Sequence, residues 1–291
     1  MIFVTGGTSH TGRRVVRCLL ARAPDEEVRC LVRDAARAAA GGLAPSNGCP
    51  LTLIEGDIEA PDTYAGAMRG ARAVINVAHI RYGPQLADLC LSLGVGRLVC
   101  LSSTRRYTRW PDEAAHQVIA AETALERMDL DWTILRATMI YGGPEDNNIE
   151  KLVQLIRRWH VILLPGGGRN LVQPVFVGDL AETVVAVVSL STSFRRAYTL
   201  AGPEPMSYRT MLQQIAAALG RRIILVPVPI GPAVAAALAA QTLGLPWPAT
   251  PDQIRRLGED KAFDISQARR DLGFSPRSFQ EGLRAKLEGK A

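Results

Sequence analysis

The sequence predicts an α/β fold: a doubly wound parallel sheet with a smaller C-terminal lobe over its ligand edge. Three observations carry this. Short apolar runs alternate with amphipathic runs through the first half of the 291 residues. The first twelve residues pass from an apolar run through a glycine-rich turn into a helical pattern. After about residue 143 the alternation breaks and turn clusters appear, Pro165-Gly-Gly-Gly168 among them.

The strand-like runs are Ile2–Thr5, Val28–Val32, Leu51–Glu55, Ala73–Val77, Arg97–Ser102 and Trp132–Arg136. Helical patterns lie between them, near 12–22, 61–68, 84–93 and 112–128. Such alternation implies parallel strands with helices on both faces. Ligands then bind at the carboxyl ends of the strands, near the point where the winding reverses. The loops of interest therefore follow Val4, Val32, Glu55, Val77, Ser102 and Arg136. Further on, 147–159 reads as a helix, Val172–Val177 as a strand, and Asp179 as the N-cap of the next helix. A strand near Ala197–Leu200, a helix from Ser207 to Leu219 and a strand at Ile223–Val226 read as parts of the smaller lobe. Two regions result: a dinucleotide-binding Rossmann domain over 1–142, to which 172–190 return, and a substrate-binding lobe made mainly of 143–291.

The opening turn gives the first functional reading. Ile2-Phe-Val4 is the strand, and Val15, Val16, Leu19, Leu20 and Ala23 share one face of the helix that follows. Strand, tight glycine turn and helix point free backbone N–H groups at a phosphate, and the helix dipole favours negative charge there. A dinucleotide is the first expectation.

Composition excludes other classes. The net charge of +6 is spread along the chain, with no basic stripe or nucleic-acid module, so no nucleic-acid partner is expected. The five cysteines are odd in number and scattered, which reads as small buried hydrophobes rather than a disulfide framework. His10, His79, His116 and His160 are isolated and no C-x-x-C pair exists, so no metal site is expected. With a strand at Ile2, no signal peptide is expected. The apolar stretch 230–243 is too short for a bilayer, which needs ~20 residues, and reads as a buried or interface helix. The expected location is cytoplasmic, or membrane-associated through a complex.

A family resemblance runs down the chain. Val4-Thr-Gly-Gly-Thr-Ser-His-Thr-Gly12 resembles the T-G-x-x-G-x-x-G opening of extended and atypical short-chain dehydrogenases/reductases. Leu31-Val-Arg-Asp34, Gly56-Asp-Ile58 and Asn76-Val-Ala78 resemble the ends of its second to fourth strands. Leu101-Ser-Ser-Thr-Arg-Arg-Tyr107 is similar to its S-S-x-x-x-Y stretch. Thr133-Ile-Leu-Arg-Ala-Thr-Met-Ile-Tyr-Gly142 is similar to its T-I-L-R-P-x-x-x-Y-G. Gln173-Pro-Val-Phe-Val-Gly-Asp-Leu-Ala181 and Leu272-Gly-Phe-Ser-Pro276 match later motifs. Epimerase/dehydratase-like, NmrA-like and complex I accessory-subunit-like members are the nearest in character.

The resemblance implies a cofactor set. Gly6 permits the sharp turn and Gly12 the close helix–sheet approach. Ser9 replaces the middle glycine, where its side chain crowds a pyrophosphate but its hydroxyl can donate to it. Thr8, His10 and Thr11 complete the turn. Asp57 and Ile58 should touch adenine, and Asn76, Val77 and Ala78 should line the ribose and pyrophosphate. Ser102, Ala137, Thr138 and Met139 should also contact the cofactor. Where an acidic residue would bond a ribose 2′-hydroxyl, Arg33 stands instead, and a guanidinium forks well onto a 2′-phosphate. NADP(H) is therefore expected over NAD(H), while Asp34, one residue on, keeps NAD(H) open.

Catalysis departs from the family. Its active members use Y-x-x-x-K, the lysine lowering the tyrosine pKa for proton exchange near neutrality. With Glu122 and Arg136 fixing the register, those positions fall on Ala114 and Val118. No lysine occurs before Lys151, and only four exist against thirty arginines. His116 is expected to face away from the cofactor. The remaining catalytic candidates are Ser103 and Tyr107, with His79, Tyr82, Arg105 and Arg106 as substrate-binding candidates. Arg81 and Arg109 add to a set of strand-end guanidiniums that attracts an anionic ligand.

The leading expectation is an NADP-dependent oxidoreductase acting on a small carbonyl, quinone or sugar-nucleotide-like substrate without the dyad. The first alternative is a non-catalytic nucleotide-binding regulator, or an accessory subunit of a respiratory-type complex, with 230–243 as a homodimer or complex contact. The second is a nucleotide-sugar epimerase or dehydratase, which the missing dyad disfavours. A lysine reaching back from the far lobe would overturn the picture of a pocket without its proton donor.

Overall fold

The computed structural model describes residues 1–44, 49–143, 146, 148–245 and 250–289. Seven parallel strands form one sheet: β1 (Ile2–Thr5), β2 (Val28–Val32), β3 (Leu51–Glu55), β4 (Ala73–Asn76), β5 (Arg97–Ser103), β6 (Asp131–Ala137) and β7 (Arg196–Leu200). Their order is β7-β6-β5-β4-β1-β2-β3, so the winding reverses between β1 and β4. This is the doubly wound α/β fold that the alternating runs predict, and the reversal places the ligand crevice at the tips of β1 and β4.

Alternation of side chains builds two cores from the same strands. In β1, Ile2 and Val4 enter one core with Val15, Val16 and Leu19 of the helix His10–Arg22 and Leu180 and Val184 of the helix Val177–Ala186. Phe3 points the other way, into a core with Leu86 and Cys90 of the helix Gly83–Leu93 and Val118 and Leu125 of the helix Glu113–Leu125. Every residue of β1 is buried, as a central parallel strand requires. Cys30, Cys90 and Cys100 lie within these cores as free thiols, and burial pushes each up to about 12.

The structure departs from the sequence reading at five places. β7, expected in the smaller lobe, pairs with β6 from Arg196 opposite Thr133 to Leu200 opposite Ala137, because Tyr198 and Leu200 bury on the main sheet. The run 172–177 is interrupted at Pro174, which has no N–H to donate. Leu171–Val172 therefore pairs with Met206–Ser207, and Val175–Phe176 with Ile140–Tyr141. The next helix starts at Val177, so Asp179 sits inside its first turn rather than capping it. There it accepts from Arg277, from Nε at 2.8 Å and from the backbone N–H at 2.9 Å. The helical pattern 61–68 is a 3-10 turn at Pro61–Thr63 followed by a single turn at Ala65–Met68. The helix expected from 147 spans Ile149–Arg158, with residue 147 outside the described residues.

The smaller lobe has its own core, in which Tyr141, Ile149, Val153, Phe176, Met211 and Leu283 meet. Beside it, Val161–Pro165 pairs in parallel with Ile224–Val228. The apolar helix Ile230–Thr242 packs Val234 and Ala237 on Ile254 and leaves Leu238 exposed. No helix of the described residues is long and apolar enough to cross a membrane.

Candidate functional site

The site begins at the turn after β1. Gly6 has φ +74°, and a Cβ there would lie 2.3 Å from the backbone nitrogen of Ala78, so only glycine fits. A Cβ on Gly12 would lie 2.1 Å from the Gly6 carbonyl oxygen. The two glycines thus let the turn, the tip of β4 and the first helix approach closely. Ser9 caps that helix: its Oγ accepts from the Gly12 N–H at 3.0 Å and donates to the Gly6 carbonyl at 2.8 Å. The Arg13 Nη1 donates to the Thr8 carbonyl at 2.7 Å. His10 bridges to the loop after β6, its Nε2 accepting from the Gly143 N–H at 2.8 Å, and Thr11 is buried behind it.

Two cavities open along the strand tips. The first, of about 390 Å³, is lined by Gly6, Thr8, Arg33, Asp57, Ile58 and Ala78, all expected to touch a dinucleotide. Arg33 is exposed there, one residue past β2. Its neighbour Asp34 turns away to cap the short helix Ala35–Ala38, its carboxylate accepting from the Arg37 N–H at 2.8 Å. Asp57 is held by an Asx-type bond from the Glu59 N–H at 3.0 Å. The Ile58 carbonyl accepts from Gln85 Nε2 at 2.7 Å and from the Tyr64 hydroxyl at 3.2 Å. Tyr82 also lines this cavity, its hydroxyl donating to Glu59 at 2.7 Å.

The second cavity, of about 460 Å³, brings together Ser103, Tyr107, Arg105, Thr138 and Met139 with the C-terminal residues Lys261 and Phe263. The Ser103 Oγ accepts from the Arg105 N–H at 3.1 Å and caps the turn Thr104–Tyr107. The Tyr107 hydroxyl accepts from Arg136 Nη1 at 3.1 Å, and its ring packs on Phe263 with centroids 5.7 Å apart. Arg105 pairs with Asp112, while its buried Nε has no hydrogen-bond partner among the described residues.

The other expected residues lie around these spaces. Asn76 is fully buried and its Oδ1 accepts from the Thr5 hydroxyl at 2.8 Å. Val77 and Ala137 are core residues. Ser102 points under the sheet tip and donates to Glu122 at 2.5 Å. That carboxylate is fully buried and also accepts from Arg106 and, at 2.8 Å, from Arg136. Arg106 is therefore tied to a structural carboxylate, and burial followed by the neighbouring Arg136 holds its guanidinium below the ordinary range. His79 Nδ1 accepts from the Arg81 N–H at 3.2 Å, and desolvation, then Arg81 and Arg105, lower its pKa. On the helix Glu113–Leu125, Ala114 and Val118 hold the dyad positions, Val118 is buried, and His116 is exposed. Lys261 was not anticipated at this site: it stands in no motif and joins β5 only through the tertiary fold.

Residues 6–155 match a family model described as NAD(P)H-binding. The chain belongs to this family. Its fold is a Rossmann-like α/β fold, a parallel sheet of seven strands with flanking helices. The uncharacterized protein y4nG of Sinorhizobium fredii is 32% identical over 165 residues, 56% of this chain and 40% of that one. Mitochondrial NADH dehydrogenase [ubiquinone] 1 alpha subcomplex subunit 9 of Arabidopsis thaliana is 28% identical over 173 residues, 58% of this chain and 42% of that one. The chain spans about two fifths of the length of these two curated relatives. The crystal structure of an NADPH-dependent quinone oxidoreductase from Escherichia coli superposes with a TM-score of 0.74 at 20% identity, over 97% of this chain and 98% of that one. At that identity the likeness is one of fold.

Proposed function

We propose that this protein is an oxidoreductase that binds NADPH in preference to NADH and reduces a small conjugated carbonyl or quinone. The observation that carries the reading is the division of roles at the end of β2. Arg33 faces the first cavity, whereas the carboxylate of Asp34 is engaged in capping a helix and is turned from the ribose position. A guanidinium whose neighbouring carboxylate is taken up by a helix cap favours a 2′-phosphate. The glycine turn leading into the N-terminus of the first helix supports a pyrophosphate bound there.

In this reading the coenzyme supplies a hydride. Gly6 and Thr8 hold the diphosphate side, Arg33 holds the 2′-phosphate, and Asp57 and Ile58 flank the adenine. Ser103, Thr138 and Met139 line the nicotinamide end, and the acceptor lies between Tyr107 and Phe263. Ala114 and Val118 hold the places of the usual tyrosine and lysine and carry no proton. A conjugated acceptor such as a quinone suits such a site because the charge it gains on oxygen is delocalised over the conjugated system.

Calorimetry with both coenzymes tests the reading. Arg33→Ala is expected to weaken NADPH about 10- to 100-fold, the size of a lost charged hydrogen bond, and to leave NADH nearly unchanged. Equal losses for both coenzymes would remove the NADPH assignment. Turnover of NADPH with a panel of quinones and carbonyls tests the reaction.

A second reading is a nucleotide-binding accessory subunit of a larger complex. The exposed apolar side of the helix Ile230–Thr242, with Leu238 43% exposed, favours it as a contact for a second copy or another subunit. Tightly retained nucleotide that no acceptor oxidises, in a protein that co-purifies with a complex, would favour this reading over the first.

A further inference from the structure

The loop between the helices Pro251–Arg256 and Ser266–Leu272 is sewn to both walls of the second cavity. The Glu259 carboxylate accepts from the Thr108 hydroxyl at 2.9 Å and from the Arg109 N–H at 2.6 Å, both on the loop after β5. On the other wall Asp260 accepts from the Leu171 N–H at 2.8 Å. The Lys261 N–H donates to the Leu171 carbonyl at 2.8 Å, and the Phe263 N–H donates to Gln173 Oε1 at 2.8 Å. These bonds fix the backbone that carries Lys261 against the pocket.

The side chain of Lys261 lines that pocket together with Ser103, Tyr107 and Arg105. Its amine makes no hydrogen bond or ion pair among the described residues. The contrast is Lys286, whose amine pairs with Asp146 and Glu150, each at 2.9 Å. Around Lys261 stand Arg105, Arg109, Arg256, Glu259, Asp260 and Tyr107. Both carboxylates are already engaged by the bonds above, and Arg256 pairs with Asp112 at 2.9 Å. Two unpaired N–H donors therefore share one cavity: the Lys261 ammonium and the buried Nε of Arg105. Donors gathered without a hydrogen-bond partner of their own suit an oxygen that gains negative charge during reaction.

We propose that Lys261 is the proton donor of this pocket, reaching from the far lobe to do what the lysine-supported tyrosine of the helix after β5 cannot. This rests on the oxidoreductase reading above. The ammonium of Lys261 bonds the oxygen of the conjugated carbonyl or quinone. The acceptor takes a hydride, and with it two electrons, from the reduced nicotinamide, which is oxidised by the same two. The oxygen takes the proton from the ammonium, so a C=O becomes C–O–H, and the neutral amine regains a proton from water. Burial first, then Arg256 and Arg105, against the opposing pull of Glu259, hold the amine below its ordinary range. That brings a lysine closer to the acidity a general acid needs near neutral pH.

The chain has only four lysines, so reductive ¹³C-methylation gives few signals, which the Lys261→Met variant assigns. Lys261 is expected to titrate below the ordinary lysine value of about 10.4. Its signal is expected to shift when menadione is added as the quinone probe. Titration at the ordinary lysine value and no shift with menadione would overturn the proposal. In steady-state assays with menadione, Lys261→Met is expected to lower kcat by about 10²-fold or more and to flatten the falling alkaline limb. Lys261→Arg should retain the wild-type KM without recovering kcat. Calorimetry with NADPH and a thermal melt on each variant separate the failures. Unchanged turnover in Lys261→Met, with NADPH bound and the melt intact, sinks the lysine alone. A wild-type protein that binds no NADPH or reduces no acceptor sinks the function reading and the lysine with it.

Discussion

The two ends of β5 carry the same residue type to opposite purposes. At the amino end Arg97 is 5% exposed, and its guanidinium makes five hydrogen bonds. They go to the carbonyls of Asp131 and Val187 at 2.7 Å and of Val188 at 3.2 Å, and to the hydroxyls of Thr133 at 2.7 Å and Ser193 at 3.0 Å. The Phe194 ring lies 4.4 Å below it. No carboxylate is among these hydrogen-bond partners, and burial pulls the guanidinium down to about 10, which leaves it charged at neutral pH. At the carboxyl end Arg105 shares Asp112 with Arg256, and its Nε is left without a partner beside an open cavity. The difference teaches where the fold closes itself and where it leaves donors for something else. A buried donor with no partner is costly, so its survival at the strand tips argues for a ligand there.

The largest expected effect tests the closed end. Arg97→Met leaves the Thr133 and Ser193 hydroxyls and three carbonyls without their donor, and is expected to cost about 3–5 kcal/mol in urea unfolding. NADPH affinity of the molecules that stay folded should be unchanged. A loss under about 1 kcal/mol would mean that water satisfies this end as well as the guanidinium does, and the contrast between the ends would collapse.

Glu122 sits between the two cases. It lies near the ligand end, yet it is buried and accepts from Ser102, Arg106 and Arg136. Glu122→Gln leaves two guanidiniums facing each other with only the half-exposed Glu126 nearby, and should cost about 2–3 kcal/mol. If this cluster is structural, the Lys261 titration and the NADPH affinity will stay as in the wild type. A large loss of NADPH affinity with little loss of stability would move Arg106 back to the substrate-binding role its sequence position suggests.

Legibility from sequence followed the range of the interactions. The short apolar run of β1 and the helix faces of Val15, Val16 and Leu19 are local patterns, and patterns of this kind gave six strands and the winding. The Gly6 and Gly12 positions were legible because only a residue without Cβ fits them. The fate of Ser102 was not, since the sequence places two serines side by side and only the pleat decides which faces Glu122. Asp34, which keeps NAD(H) open in the sequence, caps the helix Ala35–Ala38, a role that only the local fold reveals. β7 was assigned to the wrong neighbourhood because its partner strand is sixty residues away in sequence, Leu200 lying opposite Ala137. Lys261 was invisible for the same reason: no periodicity or motif ties it to β5. The scarcity of lysine was the single hint, since it made each of the four worth locating.

The smallest effect sharpens the contrast through pH. Near the amino end of β1, Glu26 accepts from Arg72 Nη2 at 2.6 Å and Nε at 2.9 Å, and this pairing, working against burial, holds its carboxyl at about 2. An unfolded chain would bind that proton near 4.3, so between the two values the unfolded state holds more protons. The pair therefore contributes its full stability above about pH 4.3 and loses it as the pH falls toward 2. Glu26→Gln should lower the melting temperature slightly at pH 7, and the gap to the wild type should close by about pH 2. At the other end of the sheet the unpaired Lys261 gives up its proton as the pH rises, so ligand binding should fail at high pH while the fold survives. If acid removed acceptor binding before it touched stability, the carboxylates of Asp112 and Glu259 would be the groups that matter at the open end, and the division between a self-satisfied base and a ligand-seeking tip would have to be redrawn.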